Sequence, residues 1–154
     1  MNLFTTLQQF VPQQRLSKVA GRLAASRHPY VKRTFIRSFA KAYNVSLDEY
    51  ERQSLNAYES FNDFFTRELK EDARPIDTTV DGIVSPADGI ISQLGQIGEQ
   101  KVLQAKGRYY DVGQLLADSE DGRYFADGSF ATVYLAPSNY HRVHMPFAGT
   151  LIKT

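Results

Sequence analysis

The sequence predicts an α+β protein in which amphipathic helices precede a β-rich part, and three observations support that prediction. Apolar residues in the first part, 1–72, recur with helical spacing. From residue 73 onward the pattern changes to short apolar runs punctuated by glycine, which is typical of strands. A hydrophobic content of 42% in 154 residues is sufficient for one core of ordinary size. We therefore expect a helical region at 1–72 and a β-rich region at 73–154.

Two amphipathic helices are predicted at the N-terminus, because their apolar residues recur three or four positions apart and so share one helix face. The first stripe contains no charge and ends near Pro12, and the second alternates with basic residues and ends before His28-Pro29. The apolar residues of the first helix are Leu3, Phe4, Leu7, Phe10 and Val11, and those of the second are Leu16, Val19, Ala20, Leu23 and Ala24. The basic residues of the second helix are Arg15, Lys18 and Arg22.

Three further helices are predicted before the β-rich part. One spans Tyr30 to Tyr43. Ser46 followed by Glu49 has the spacing of a capping box and predicts another, and Ser60 followed by Asp63 predicts the third. The apolar stripe of the first of these helices is Val31, Phe35, Phe39 and Tyr43.

Strands are predicted at Gly89 to Ile97, at Lys101 to Gln104 and at Ser129 to Leu135, because short apolar runs there are bounded by glycine and polar residues. A short helix is expected between them, from Val112 to Ala117. Leu151 to Thr154 again has a strand-like pattern.

The net charge of +1 hides a strong asymmetry. Residues 1–47 contain eight basic residues and no acidic one, while the remainder holds ten basic and seventeen acidic residues. Such a block favours a polyanionic partner. Basic amphipathic helices lie in the interfacial plane of anionic bilayers, but the same stripes form the buried faces of ordinary helical bundles, and the spacing does not distinguish the two. Nucleic acid is not expected, because no recognised binding motif accompanies the charge.

The absence of cysteine excludes disulfide scaffolds, thiolate zinc sites and a cysteine nucleophile. No window approaches the roughly 18 apolar residues of a membrane-spanning helix, and the N-terminus lacks the pattern of a secretory signal. We expect neither a spanning helix nor an export signal.

Candidate chemistry centres on His141 and His144, which lie three positions apart in a loop that follows an apolar strand and is flanked by Pro137 and Pro146. Loops on rigid scaffolds are where reactive groups tend to be placed. Asp88 lies upstream, in a turn rich in proline and glycine, where a carboxylate can be held toward another part of the fold.

Three interpretations of these residues stay open from their types and spacing alone. Two imidazoles and Asp88 supply the three ligands of a catalytic zinc or iron site, as in a metal-dependent hydrolase. Alternatively, Asp88 orients and charges one histidine so that it deprotonates a hydroxyl nucleophile, while the second histidine handles substrate protons. In the third interpretation the protein is a non-catalytic lipid-surface or partner-binding module, and the histidines merely pack.

Five segments, in order, resemble the phosphatidylserine decarboxylase proenzyme family, and the likeness extends over the chain, most weakly across the N-terminal helices. They are Phe61 to Leu69, Arg74 to Asp77, Pro86 to Gly89, Gln104 to Tyr110 and Tyr140 to Pro146.

The resemblance implies a carboxy-lyase that converts phosphatidylserine to phosphatidylethanolamine and CO2. In that family a serine attacks the preceding carbonyl, the ester breaks by β-elimination, and the new chain begins with a pyruvoyl group that acts as electron sink. By resemblance, Asp88 and His144 form the dyad that activates this serine, and His141 protonates the carbanion left by CO2.

The resemblance also bears on the N-terminal helices and on partners. A phospholipid substrate favours the bilayer for them, with contact through both apolar stripes and through Arg15, Lys18 and Arg22. It implies peripheral association with the cytoplasmic face of the inner membrane, and a homodimer through the helical region stays open. The pyruvoyl-forming motif, Leu-Gly-Ser-Thr or similar, is not found in these residues, and Gly128-Ser129 is interpreted as structural. We therefore expect the front part of a proenzyme, with a truncated β-rich domain, inactive without the C-terminal pyruvoyl-bearing chain.

Overall fold

A computed structural model describes residues 13–98, 101–104, 108–117 and 119–150. The helices are α1 (Gln13–Ala24), α2 (Pro29–Ala42), α3 (Phe61–Phe65), α4 (Val112–Leu115) and α5 (Ser119–Tyr124), with a 3₁₀ turn at Leu55–Ala57. The strands are β1 (Ile90–Gln96), β2 (Lys101–Gln104), β3 (Arg108–Asp111) and β4 (Ser129–Tyr134). The protein is therefore a mixed α+β structure, as predicted. The first predicted helix and the strand-like pattern at Leu151 to Thr154 lie outside the described residues.

The chain divides into two compact units. The helical unit runs to Val84 and includes Tyr140–Arg142, and the β unit comprises Ser85–Asn139 and the residues from Val143 onward. The predicted boundary lies between residues 72 and 73, and the structure has neither helix nor strand between 73 and 84.

The helical unit has a compact core of aromatic and aliphatic side chains. Its α3 begins where predicted, because the Ser60 hydroxyl accepts a hydrogen bond from the Asp63 amide (3.1 Å) and so satisfies a free N–H of the first turn. The buried cluster consists of Ile36, Ala40, Leu47, Tyr50, Tyr58, Phe64 and Tyr140. Only the last of these comes from beyond Val84, so one distant residue completes a core that is otherwise local.

One prediction for the helical unit is wrong, and another is wrong in part. The buried residues of α2 are Ile36 and Ala40; of the predicted stripe, Phe39 packs against the core, whereas Phe35 and Tyr43 are exposed. The other error is the helix expected at Ser46, where the chain makes a turn instead. The Ser46 hydroxyl donates to the Asp48 carboxylate (2.7 Å) and accepts from the Asp48 amide (3.2 Å), a local arrangement that competes with helix formation.

Two arginines stabilise the helical unit, one through aromatic contacts and the other through an ion pair. Arg67 is fully buried, with its guanidinium 4.4 Å from the centre of the Tyr50 ring and 5.2 Å from that of Phe64. Arg52 donates two hydrogen bonds of 2.6 Å to the Asp63 carboxylate. This pairing holds the pKa of Asp63 below its usual range, because it favours the charged carboxylate.

The β unit contains two antiparallel strand pairs together with α4 and α5. Strand β1 pairs with β4, from Ile90 opposite Tyr134 to Gln96 opposite Ser129, and β2 pairs with β3. Its described buried cluster is small and consists of Ile97 and Val112, with Phe130 packed against them. The predicted strands and the short helix at Val112 are confirmed, whereas α5 and β3 were not predicted.

Helix α1 presents both its apolar and its basic residues at the surface. Leu16 is 61% exposed and Val19 is 51% exposed, and the basic residues of this helix are exposed as well. Helix α2 differs, since it buries Ile36 and since the ammonium of Lys32 donates to the Tyr58 carbonyl at 2.6 Å. Within the part of the chain that the structure describes, neither of these helices is long and apolar enough to cross a bilayer, and the same holds for the remaining helices.

Candidate active site

Asp88 lies in the turn that leads into β1. The Ser85 hydroxyl donates to the Ala87 carbonyl at 2.7 Å, which tightens this turn. Gly89 lies so close to β4 that an added Cβ would be 2.4 Å from the Tyr134 carbonyl oxygen, closer than any side chain tolerates. Glycine is therefore required next to Asp88, and its close approach fixes the backbone beside half-buried Asp88 at the edge of the β1–β4 pair.

His144 returns to this same turn. Its backbone amide donates to the Pro86 carbonyl at 2.9 Å, which places the His144 backbone beside the turn that carries Asp88. Its side chain is exposed. The structure therefore brings together the segments that carry two of the three predicted site residues, although these segments are far apart in the sequence.

His141 belongs to the other unit. Its imidazole lies against the Phe65 ring, with centroids 4.0 Å apart and ring planes 16° apart. The neighbouring Arg142 donates from Nε to the Thr66 carbonyl at 2.9 Å and forms an ion pair of 3.2 Å with Glu68. Residues three positions apart in one loop thus have different supports: the helical unit holds His141, and the β unit holds His144.

The supports of His141 were not predicted. Phe65 and Glu68 lie in a segment used only for the family resemblance, and Arg142 lies between the two histidines without an assigned role. Tyr140, on the other side of His141, is buried in the core of the helical unit, and this burial raises the pKa of its phenol. The tripeptide Tyr140–Arg142 is therefore anchored at each of its residues.

The metal interpretation lacks a ligand set among the residues that can be described. No group of three histidine and carboxylate side chains there is arranged to hold a metal ion. Ser129 of the Gly-Ser pair lies in β4, where its hydroxyl accepts a hydrogen bond from the Gln96 side chain at 3.0 Å. This contact bridges the paired strands β1 and β4, in agreement with the structural interpretation of this serine.

The predicted membrane-contacting residues divide in two. Arg15, Lys18 and Arg22 are exposed on α1, whereas Leu3, Phe4, Leu7, Phe10 and Val11 lie outside the described residues.

Comparison with known proteins identifies the family of this chain. A model of the phosphatidylserine decarboxylase family matches residues 61–154, which is more than half of the chain. The chain belongs to this family. A second family model, described as PSD, matches residues 3–44, so the N-terminal helices are included in the likeness.

Relatives within the phosphatidylserine decarboxylase family support the assignment over the full chain. The phosphatidylserine decarboxylase proenzyme of Psychrobacter arcticus is 85% identical over 154 residues, which cover 100% of this chain and 56% of that protein. The proenzyme of Psychrobacter cryohalolentis is 84% identical over the same length, again 56% of that protein. That of Acinetobacter baumannii is 49% identical over 152 residues, 99% of this chain and 54% of the relative. The chain thus spans about half the length of the curated relatives it matches.

Proposed function

We propose that this chain is the N-terminal part of a phosphatidylserine decarboxylase that forms its own pyruvoyl group by serine self-cleavage. The observation that supports this most directly is the hydrogen bond from the His144 amide to the Pro86 carbonyl, because it joins the two segments that carry the proposed dyad. The match to proenzymes of about twice this length agrees with the proposal. The remaining part of the proenzyme then supplies the serine.

In self-cleavage, His144 accepts the proton of the attacking serine hydroxyl, and Asp88 orients and charges the imidazole. The close packing of Gly89 against Tyr134 keeps the Asp88 turn in place, which lowers the reorganisation required at the moment of reaction.

In decarboxylation, His141 delivers the proton that replaces CO2 on the substrate. The residues of this chain fit a pyruvoyl enzyme, because Asp88 and the two histidines provide acid–base groups. Ser129 is not the pyruvoyl-forming serine in this proposal, because its hydroxyl is hydrogen-bonded across β1 and β4. The pyruvoyl group, carried by the remaining part of the proenzyme, supplies the electron sink for loss of CO2. His141 is separately supported on the helical unit, so its loss is expected to spare self-cleavage.

The test is a full-length chimera in which this chain replaces the matched part of the Psychrobacter arcticus proenzyme. We expect the chimera to cleave itself into two chains and to release CO2 from phosphatidylserine. His144→Ala is expected to block cleavage, seen by gel and intact mass. His141→Ala is expected to cleave normally but to lose at least about 100-fold in decarboxylation, the size typical of a general acid. His28→Ala, the third histidine, is the matched control and is expected to retain both steps. A His144→Ala chimera that still cleaves would refute the proposed dyad.

We also propose that the protein associates peripherally with the inner membrane through α1. Three features support this proposal: the exposed apolar residues Leu16 and Val19, the basic residues beside them, and the excess of positive charge in the N-terminal part. An anionic bilayer buries the apolar face of such a helix and attracts its basic face.

Vesicle binding tests this second proposal. Each basic residue near an anionic surface contributes about 1 kcal/mol, so replacing Arg15, Lys18 and Arg22 with glutamine is expected to lower partitioning about 100-fold. Binding of the full-length chimera is measured by co-sedimentation with vesicles that contain phosphatidylglycerol, against vesicles of phosphatidylcholine alone. Arg22→Gln is compared with Arg123→Gln, which removes the same charge from the β unit. Equal losses from these two single variants would show that the attraction is not local to α1.

A further inference from the structure

His141 and Arg142 are fixed to one short stretch of the helical unit, from the end of α3 at Phe65 to Glu68. The Arg142 guanidinium reaches the Thr66 carbonyl and the Glu68 carboxylate, and the imidazole between these anchors and buried Tyr140 lies on Phe65. Since the backbone on both sides of His141 is anchored, the remaining freedom of the imidazole is rotation about its own side-chain bonds. The contact with Phe65 restricts that rotation, because tilting the imidazole breaks a nearly parallel ring stack.

Phe65 is itself held firmly. It is the last residue of α3, and its ring stacks on Phe61 with centroids 5.9 Å apart and an interplanar angle of 26°. Phe39 of α2 meets the same ring edge-on at 5.9 Å. A ring packed by two aromatic neighbours presents a flat and stationary surface to a third.

We propose that Phe65 is a positioning residue for His141, and that the stacked ring aims the imidazole at the carbon atom that is protonated after CO2 leaves. The proposal rests on the decarboxylase function proposed above. Phe65 contacts no reacting atom in this account and acts only through His141. A displacement of about 1 Å in a catalytic group lowers the rate by up to about 100-fold, so a ring that merely aims an imidazole has a measurable effect.

The predicted effect is confined to one step of the enzyme. The turn that carries Asp88 and the backbone of His144 belong to the β unit, whereas Phe65 belongs to the helical unit. Loss of the Phe65 ring is therefore expected to lower kcat for decarboxylation while it leaves self-cleavage and the KM for phosphatidylserine unchanged. A general loosening of the fold would instead slow both steps.

The experiment compares three variants of the full-length chimera described above. Phe65→Leu is expected to cleave at the rate of the parent and to lose about 10- to 100-fold in kcat, with KM unchanged. Phe65→Tyr keeps the ring and is expected to restore kcat to within about 3-fold. Phe35→Leu is the matched control, because Phe35 belongs to the same aromatic group, contacts Phe61 edge-on at 6.0 Å, and has no ring contact with His141 among those found. It is expected to leave kcat unchanged.

A double substitution tests whether Phe65 acts on decarboxylation only through His141 or also independently of it. In a chimera that already carries His141→Ala, Phe65→Leu is expected to cause no further loss of the residual decarboxylation, because the residue that it aims is gone. A further loss as large as that seen with His141 present would overturn the proposal. So would a Phe65→Leu variant with the kcat of the parent, or a Phe65→Tyr variant as impaired as Phe65→Leu.

Two outcomes distinguish this proposal from the function on which it rests. If His141→Ala retains full decarboxylation, the proposed function of His141 fails, and the role of Phe65 fails with it. If His141→Ala loses decarboxylation while Phe65→Leu keeps the kcat of the parent, only the role of Phe65 fails. Should Phe65→Leu not cleave, Phe65→Met gives a second measurement, because it removes the ring but keeps an apolar side chain that adapts to an irregular gap. A loss of about 10-fold in kcat with normal cleavage is then expected, and an unchanged kcat would overturn the proposal.

Discussion

The helical unit and the β unit bury their apolar residues to very different degrees. All of the largest fully buried side chains described, Ile36, Tyr58, Phe64 and Arg67, belong to the helical unit. In the β unit, by contrast, Ile90 is 66% exposed and Leu94 is 72% exposed, although both lie in a strand. Exposed apolar strand residues are typical of a surface that another element covers, so we expect those of β1 to be covered in the longer proenzyme. The residues of the proposed site are also divided between the units, with His141 in the helical unit and Asp88 and His144 in the β unit.

The largest expected effect is on the core of the helical unit. Phe64→Ala removes a fully buried ring that contacts Tyr58 at 5.2 Å between centroids, and is expected to lower the free energy of unfolding by about 3–5 kcal/mol. Phe125→Ala is the control in the β unit, where the side chain is half exposed, and is expected to lower it by less than about 1 kcal/mol. Denaturant titration of both variants checks the contrast, and equal losses would contradict it.

The next effect concerns the turn that carries Asp88. Gly89→Ala forces a methyl group against the Tyr134 carbonyl and is expected to destabilise the β unit by about 1–3 kcal/mol. In the full-length chimera it is also expected to slow self-cleavage. Gly98→Ala is the control, because nothing lies within 4 Å of its added Cβ. The comparison is read from thermal unfolding and from the rate of cleavage, and similar behaviour of the two variants would show that the close approach at Gly89 is unimportant.

A smaller effect follows from the ion pair in the helical unit. The folded protein lowers the pKa of Asp63 below its ordinary value of 3.8, so the stabilisation is fully present above that pH and is lost as the pH falls through the folded pKa. At neutral pH, Asp63→Asn is expected to lower the free energy of unfolding by about 1–2 kcal/mol, since the pair is partly exposed.

The pH dependence of this variant provides the control. Between neutral pH and about pH 3, Asp63→Asn is expected to lose less stability than the parent, because it has no carboxylate to protonate at this position. Asp127→Asn removes the same charge from an exposed position in the β unit and is expected to keep the parental slope. Urea unfolding at several pH values measures both, and a slope that Asp63→Asn leaves unaltered would refute the assignment.

The smallest expected effect tests the exposed face of β1. Ile91 and Leu94 lie on the same face, because their partners Val133 and Ala131 are two positions apart on β4. Replacing Ile91 and Leu94 together with threonine is expected to change the stability of this chain by less than about 0.5 kcal/mol, because threonine suits a strand and little apolar area becomes uncovered. In the full-length chimera the same pair is expected to cost more, about 1–3 kcal/mol, if the remaining half covers this face. Equal costs in the two backgrounds would show that it stays exposed.

Local patterns predicted most of the elements, and their limits have physical causes. Helical periodicity located α1 and α2, and short apolar runs bounded by glycine and polar residues located β1, β2 and β4. The capping-box spacing failed at Ser46, because the Ser46 hydroxyl interacts with Asp48 instead of capping a helix. The predicted stripe of α2 was right at Phe39 but wrong at Phe35 and Tyr43, since apolar residues occupy more than one face of this helix and only tertiary packing decides which is buried.

The site was predictable in its residue types but not in its supports. The residues Asp88, His141 and His144 are named by their motifs, and the bond between the His144 amide and the Pro86 carbonyl joins two of these segments. The stack of His141 on Phe65 has no counterpart in the sequence, because a contact between two rings over so many intervening residues leaves no periodic pattern. The assignment of His141 and His144 to different units was likewise beyond any local pattern.

The place of Tyr140 in the core of the helical unit has a consequence for the order in which the protein folds. Six of the seven buried residues of that core lie between Ile36 and Phe64, and the seventh follows the whole of Ser85–Asn139. During synthesis the early residues can collapse as soon as they emerge, but the last position in their core is filled only after the intervening segment has left the ribosome. Because Tyr140 is next to His141, the step that buries Tyr140 also brings the His141 imidazole against the Phe65 ring.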